Sequence, residues 1–154
     1  MSDTNAQVAT RFYTELMAFG RREAAGELLS HDYVDHQLSP EKPGRDGAIA
    51  WLGALDAAFR NRVIAVEEVV SSGAMVSVRW SGSFTHSGAF LGHPATGQTL
   101  NVSGVGVFRI EHGRIVERWE HEDAPGLVRQ LACLSATRAR RLVRRREFAV
   151  AGAG

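Results

Sequence analysis

Apolar positions recur along this chain with two different periods. Near the N-terminus Val8, Phe12, Leu16 and Phe19 fall three or four residues apart, the period of a helix that buries one stripe. Thr4 or Asn5 can cap that helix and Gly20 can end it. A second, shorter helix is expected from Arg22 to Leu29, followed by a short strand over Tyr33–His36. The polar, proline-containing segment QLSPEKPG reads as a mobile loop. A third helix then runs from Gly44 or Asp46 to Phe59, with Ile49, Trp51, Leu52, Leu55 and Phe59 on its apolar face. From there the period drops to two. Val63–Val70 is one strand, Ser72-Gly73 a turn, and Met75–Phe84 a second strand in which Val76, Val78 and Trp80 alternate with Ser77, Arg79 and Ser81. The loop THSGAFLGHPATGQ is rich in glycine yet carries Phe90 and Leu91, so it should fold over something apolar.

The segment Thr99–Asp123 reads as a long hairpin turning at His112-Gly113. Its second strand holds charged or titratable groups at both parities: Glu117 and His121 share one face with Trp119, and Arg118, Glu120 and Glu122 share the other with Val116. A strand inside a sheet cannot bury such a set against a dry core. One face must therefore line a site. Pro125-Gly126 begins a last short helix ending near Leu134. Helices ahead of a strand meander indicate an α+β fold, a curved antiparallel sheet packed on three to four helices.

Composition narrows the function class. At 154 residues the chain fits one domain, placed at 1–134, with an Arg-rich tail at 135–154 expected to be partly helical and then disordered. Six arginines between Arg138 and Arg146 sit in that tail. Residues 1–137 are left with 12 basic against 16 acidic side chains. A mildly acidic body argues against nucleic acid as partner. The single cysteine, Cys133, leaves no intrachain disulfide, and the six histidines lack close ligand spacing, so no metal site is expected. The polar N-terminus has no apolar signal core, and no apolar run approaches the roughly 20 residues that span a bilayer. A soluble cytoplasmic protein without membrane partners is the expectation.

Four stretches, RFYTEL, ELLSHDYVDH, THSGAFLGHPATGQTLNVSG and FRIEHGRIVERWEHEDAPGLVRQL, occur in an order and spacing that resembles the SnoaL-like polyketide cyclases, members of the larger group with the NTF2-like cone fold. The resemblance covers roughly residues 6–132. It implies a homodimer or homotetramer with one deep apolar pocket per subunit. It also implies a small hydrophobic or polycyclic substrate, and aldol ring closure without a metal or redox cofactor. The family's acid/base aspartate follows the last-strand tryptophan; Glu120 holds that position here. The polar residues that steady the enolate in the family match Gly104 and Gly106, which offer no side chain.

Candidate catalytic residues are accordingly Glu120, Arg118 and His36. A carboxylate desolvated in an apolar cavity is suited to exchange a proton near neutral pH, an arginine to hold an oxyanion, and a strand histidine to relay a proton. Glu120 could instead simply pair with Arg118. Phe12, Tyr13, Trp51, Trp80, Phe90, Gly104, Gly106 and Glu122 are the expected substrate-binding positions, the glycines enlarging the cavity. His86 and His93 fall in the loop over the pocket mouth, and His121 on the face opposite Glu120. Three functions follow: a cyclase or related isomerase of natural-product biosynthesis, an enzyme that opens epoxides or assists hydroxylation on the same fold, or a non-catalytic binding or oligomerisation module.

Overall fold

The computed structural model describes residues 2–38, 43–133 and 140–141. Helix α1 spans Ser2–Arg11 and runs on into a wider π turn, Phe12–Met17. Helix α2 spans Arg22–Leu28, strand β1 Leu29–Asp35 and helix α3 Gly44–Ala58. Strands β2 (Phe59–Ser72), β3 (Met75–His86), β4 (Thr99–Glu111) and β5 (Arg114–Glu122) follow, and residues 124–133 form a closing helix, α4. The sheet order is β1-β5-β4-β3-β2. The long strands pair antiparallel, whereas β1 joins the edge of the sheet parallel to β5. Register breaks between Arg60 and Val63, Val66 and Glu68, and Arg109 and Ile110 bend the strands. Each such bulge increases local twist, which curves the sheet around the helices. This is the α+β, NTF2-like cone expected. No described helix is long and apolar enough to cross a membrane.

The core lies between the concave face of this sheet and the helices. Phe12, Tyr13, Leu16, Leu28, Leu52, Val76, Val78, Trp80, Leu100, Phe108 and Ile115 are among its buried side chains. The β4–β5 turn matches expectation. His112 and Gly113 both take positive φ (50° and 73°), the pair of angles that suits the twist of a two-residue hairpin.

One expected core position is wrong. Phe19 is 70% exposed. The Ala18 amide reaches back five residues to the Tyr13 carbonyl (2.9 Å), so the helix is underwound here and its turn holds one extra residue. Positions beyond the π turn rotate off the stripe; Met17 is buried and Phe19 faces water. The loop expected over QLSPEKPG lies partly outside the described residues, as does the tail after residue 133 apart from Arg140 and Arg141.

Candidate active site

A cavity of about 460 Å³ opens between the sheet and the helices. Met17, Leu38, Trp51, Leu55, Phe59, Phe84, Phe90, Val102 and Leu127 contribute apolar walls; Gln37, Arg118 and Glu122 contribute the polar ones. The loop between β3 and β4 supplies its rim. Phe90 and His93 exchange backbone hydrogen bonds, both 2.9 Å, across a tight turn at Leu91 (φ 49°) and Gly92 (φ 75°). That turn sets Phe90 and Leu91 at the pocket wall, as the loop's composition suggested.

Strand β5 carries the charged groups. Alternation sends Arg118, Glu120 and Glu122 to the concave face. The guanidinium of Arg118 is fully buried over the Phe12 ring, 4.6 Å from its centroid. Its Nη1 donates to Asp35 Oδ2 at 2.9 Å and its Nη2 to Glu120 Oε2. Glu120 also accepts from Tyr13 OH at 2.6 Å and from Trp80 Nε1 at 2.8 Å. Asp35 accepts from Tyr33 OH at 2.6 Å. Burial pulls on Arg118 toward loss of its proton, but the acidic and phenolic groups around it more than offset this, and it stays charged. Burial pushes the Tyr13 and Tyr33 hydroxyls up, so both remain donors. Arg118 Nε finds no acceptor among the described residues, although Arg118 lines the cavity. A buried donor without a partner is costly to the fold.

Glu122 differs from Glu120. It lines the cavity, and burial, assisted by the nearby Glu120 charge, raises its pKa above the ordinary 4.5; Arg118 acts in the opposite direction. Glu120 is enclosed, with both oxygens taken by donors, and does not line the cavity.

Several expectations are therefore revised. His36 is not in the pocket. It stacks on Trp119 (4.9 Å between centroids) and bonds Glu117 (2.8 Å) on the opposite, wetter face, because it follows Asp35 on β1 and alternation turns it outward. Gly104 and Gly106 do not enlarge the cavity. A Cβ on Gly104 would lie 2.7 Å from Glu120 Oε1, and one on Gly106 would lie 2.0 Å from Tyr13 OH. The glycines make room for the longer glutamate and its donors. Trp51 and Phe90 line the cavity, whereas Phe12, Tyr13 and Trp80 stand behind it. His86 is buried beside Phe59, its pKa lowered by that burial, and does not line the cavity. His121 is exposed on the outer face.

Sequence reasoning missed Asp35 and Gln37. The shared parity of Tyr33 and Asp35, one of them a large apolar ring, was a signal for Asp35. Nothing local marked Gln37, which reaches the Glu120 carbonyl. Among the described residues, no group of three or more potential ligands could hold a metal ion.

The sequence profile of the SnoaL-like polyketide cyclases matches residues 7–131, most of the chain. The chain belongs to that family. Solved structures agree in fold. A candidate polyketide cyclase from Acidithiobacillus ferrooxidans superposes with a TM-score of 0.77 at 24% identity, covering 87% of this chain and 98% of that one. A candidate SnoaL-like polyketide cyclase from Jannaschia sp. CCS1 gives 0.74 at 25% identity, covering 88% and 94%. IdmH, a candidate polyketide cyclase from Streptomyces antibioticus, gives 0.72 at 28% identity, covering 83% and 98%. Among curated proteins, none matches this sequence. Within this SnoaL-like chain, Gln37, the clamped Arg118 and Glu122 are the polar members of an otherwise apolar cavity lining.

Proposed function

We propose that this SnoaL-like protein is a cofactor-free acid/base enzyme of polyketide-type biosynthesis, with Glu122 as the proton-transfer group. Glu122 would remove a proton from a carbon alpha to a carbonyl. The C–H electron pair would become the enolate C=C bond as the carbonyl π pair moves onto oxygen, and that oxygen would be held by the positive charge of Arg118. Attack of the enolate carbon on a second carbonyl closes a ring, and the protonated Glu122 returns its proton to the new alkoxide. The observation that carries this reading is the contrast between the carboxylates: Glu122 lines the pocket with a raised pKa, while Glu120 is saturated by donors. A base poised nearer the working pH is the better catalyst. The apolar walls and the size of the cavity suit a flat, largely hydrophobic substrate.

This moves the catalytic role from Glu120 to Glu122 and makes Glu120 a holder of Arg118. The epoxide-opening alternative needs a second carboxylate free toward the cavity, and Asp35 and Glu120 are both engaged by Arg118 and tyrosine. A purely binding role gives no part to a desolvated carboxylate on the cavity wall. The proposal extends to a cytoplasmic homodimer or homotetramer assembled through the outer sheet face, where Val63, Val70 and Val105 are exposed.

The test is proton exchange. The protein would be incubated in D₂O with aromatic β-ketoester polyketide analogues, and loss of the α-proton followed by NMR. Glu122→Gln keeps the shape and removes the base; exchange should slow by about a hundredfold or more. Undiminished exchange in that variant sinks the assignment.

A further inference from the structure

Arg118 is wedged between two acids, and each acid is tied to a tyrosine. On one side Tyr13 donates to Glu120; on the other Tyr33 donates to Asp35. Both acids accept from the same guanidinium. The two sides differ in origin. Glu120 is a neighbour on β5, whereas Asp35 comes from β1, paired in register with Arg118 across the parallel edge of the sheet. The Asp35 side chain is 2% exposed, and Asp35 does not line the cavity.

We propose that Asp35, fixed by Tyr33, is a positioning residue. It acts through Arg118, holding the guanidinium at the cavity wall by their 2.9 Å contact, and it adds a negative charge to the buried set on the face of the sheet that Glu122 shares. The second half rests on the proposed role of Glu122. The charge count supports it. Arg118 contributes one positive charge against Asp35 and Glu120, so this buried trio is net negative before Glu122 is considered. A carboxylate beside net negative charge holds its proton more firmly. The groups acting on Glu122 are Glu120 and Arg118 on its own strand and Asp35 on β1, with Asp35 adding to the rise that burial and Glu120 produce. Gln37, which follows β1, and the cavity-lining Ala124 and Leu127 of α4 are uncharged.

A residue that merely satisfied Arg118 would affect stability alone. The distinguishing experiment is NMR on the full chain labelled with ¹³C and ¹⁵N. The Glu122 carboxyl, assigned by its loss in Glu122→Gln, is followed over pH, and hydrogen exchange of Arg118 Nε–H is followed in time. Asp35→Asn removes a negative charge and should lower the Glu122 midpoint by about half a pH unit or more. Tyr33→Phe keeps both charges, so the midpoint should move less, but loosening the clamp should speed Nε–H exchange roughly five- to tenfold. An unchanged midpoint in Asp35→Asn, or unchanged exchange in Tyr33→Phe, overturns the positioning role. If Asp35→Asn does not fold, the Tyr33→Phe exchange decides. The underlying reading fails separately: a wild-type Glu122 titrating in the ordinary carboxylate range removes the base, whatever Asp35 does to it.

Discussion

The two faces of β5 carry nearly the same chemistry and do opposite things with it. Outward, Glu117 meets Arg109 (2.9 Å) and His36 (2.8 Å), with Trp119 stacked beside them. Inward, Arg118 meets Asp35 and Glu120, with the Phe12 ring beneath. Water screens the outer set, so each pairing there is worth little and each partner is replaceable. The inner set has no water to fall back on. Every charge needs a partner, and removing one exposes the others to the full penalty of burial. The same contrast separates the two inner glutamates: Glu120 is held by Tyr13, Trp80 and Arg118, whereas Glu122 lines the cavity with its pKa raised by burial.

The largest break in this comparison is Arg118→Met. It strands two buried carboxylates and should cost about 3–5 kcal/mol, or prevent folding. Arg109→Met on the outer face should stay within about 0.5 kcal/mol. Urea denaturation of the pair measures the difference, and equal losses would mean that the two faces are energetically equivalent. Next in size is Gly106→Ala. Its Cβ would meet Tyr13 OH at 2.0 Å, so the Tyr13–Glu120 pair must shift, at about 1–3 kcal/mol by the usual measure of overpacking. A neutral result would mean the clamp is softer than its geometry implies.

The smallest effects are the most diagnostic, because they differ in sign. Glu122 has a raised pKa, so the fold favours its protonated form. The stability tied to it is present below the unfolded value near 4.5 and is lost as pH rises through the folded value. Glu122→Gln should therefore raise Tm at pH 7, and the gain should vanish below about pH 4.5. Glu117 is held below 4.5 by the hydrogen bonds of His36 and then Arg109. Its stability is present above 4.5 and lost as pH falls, so Glu117→Gln should lower Tm slightly at pH 7 and the loss should fade in acid. Thermal melts of both variants across pH 3–8 test the signs, and parallel curves would count against the different environments of the two faces.

Much of the fold was legible because it rests on short-range periodicity. The period-two alternation of Val76, Val78 and Trp80, the turn at His112-Gly113 and the split of β5 into two charged faces all depend on residues a few positions apart. Phe19 was misplaced for the converse reason. The π turn arises where the first helix packs on the sheet, and no local pattern announces one extra residue per turn. His36 was misplaced although the pattern was at hand: it shares parity with Val34, which is exposed, and opposes Tyr33, which is buried.

Alternation alone, then, determined that Arg118, Glu120 and Glu122 share a face and that the face belongs to a site. Only the tertiary structure decided which glutamate is spent on holding Arg118 and which is left at the cavity. The donors that settle this come from Tyr13, Trp80 and, through Asp35, Tyr33, far from β5 along the chain. The pattern of a strand specifies which way side chains point. Whether a carboxylate finds a donor there depends on elements that arrive only when the chain packs.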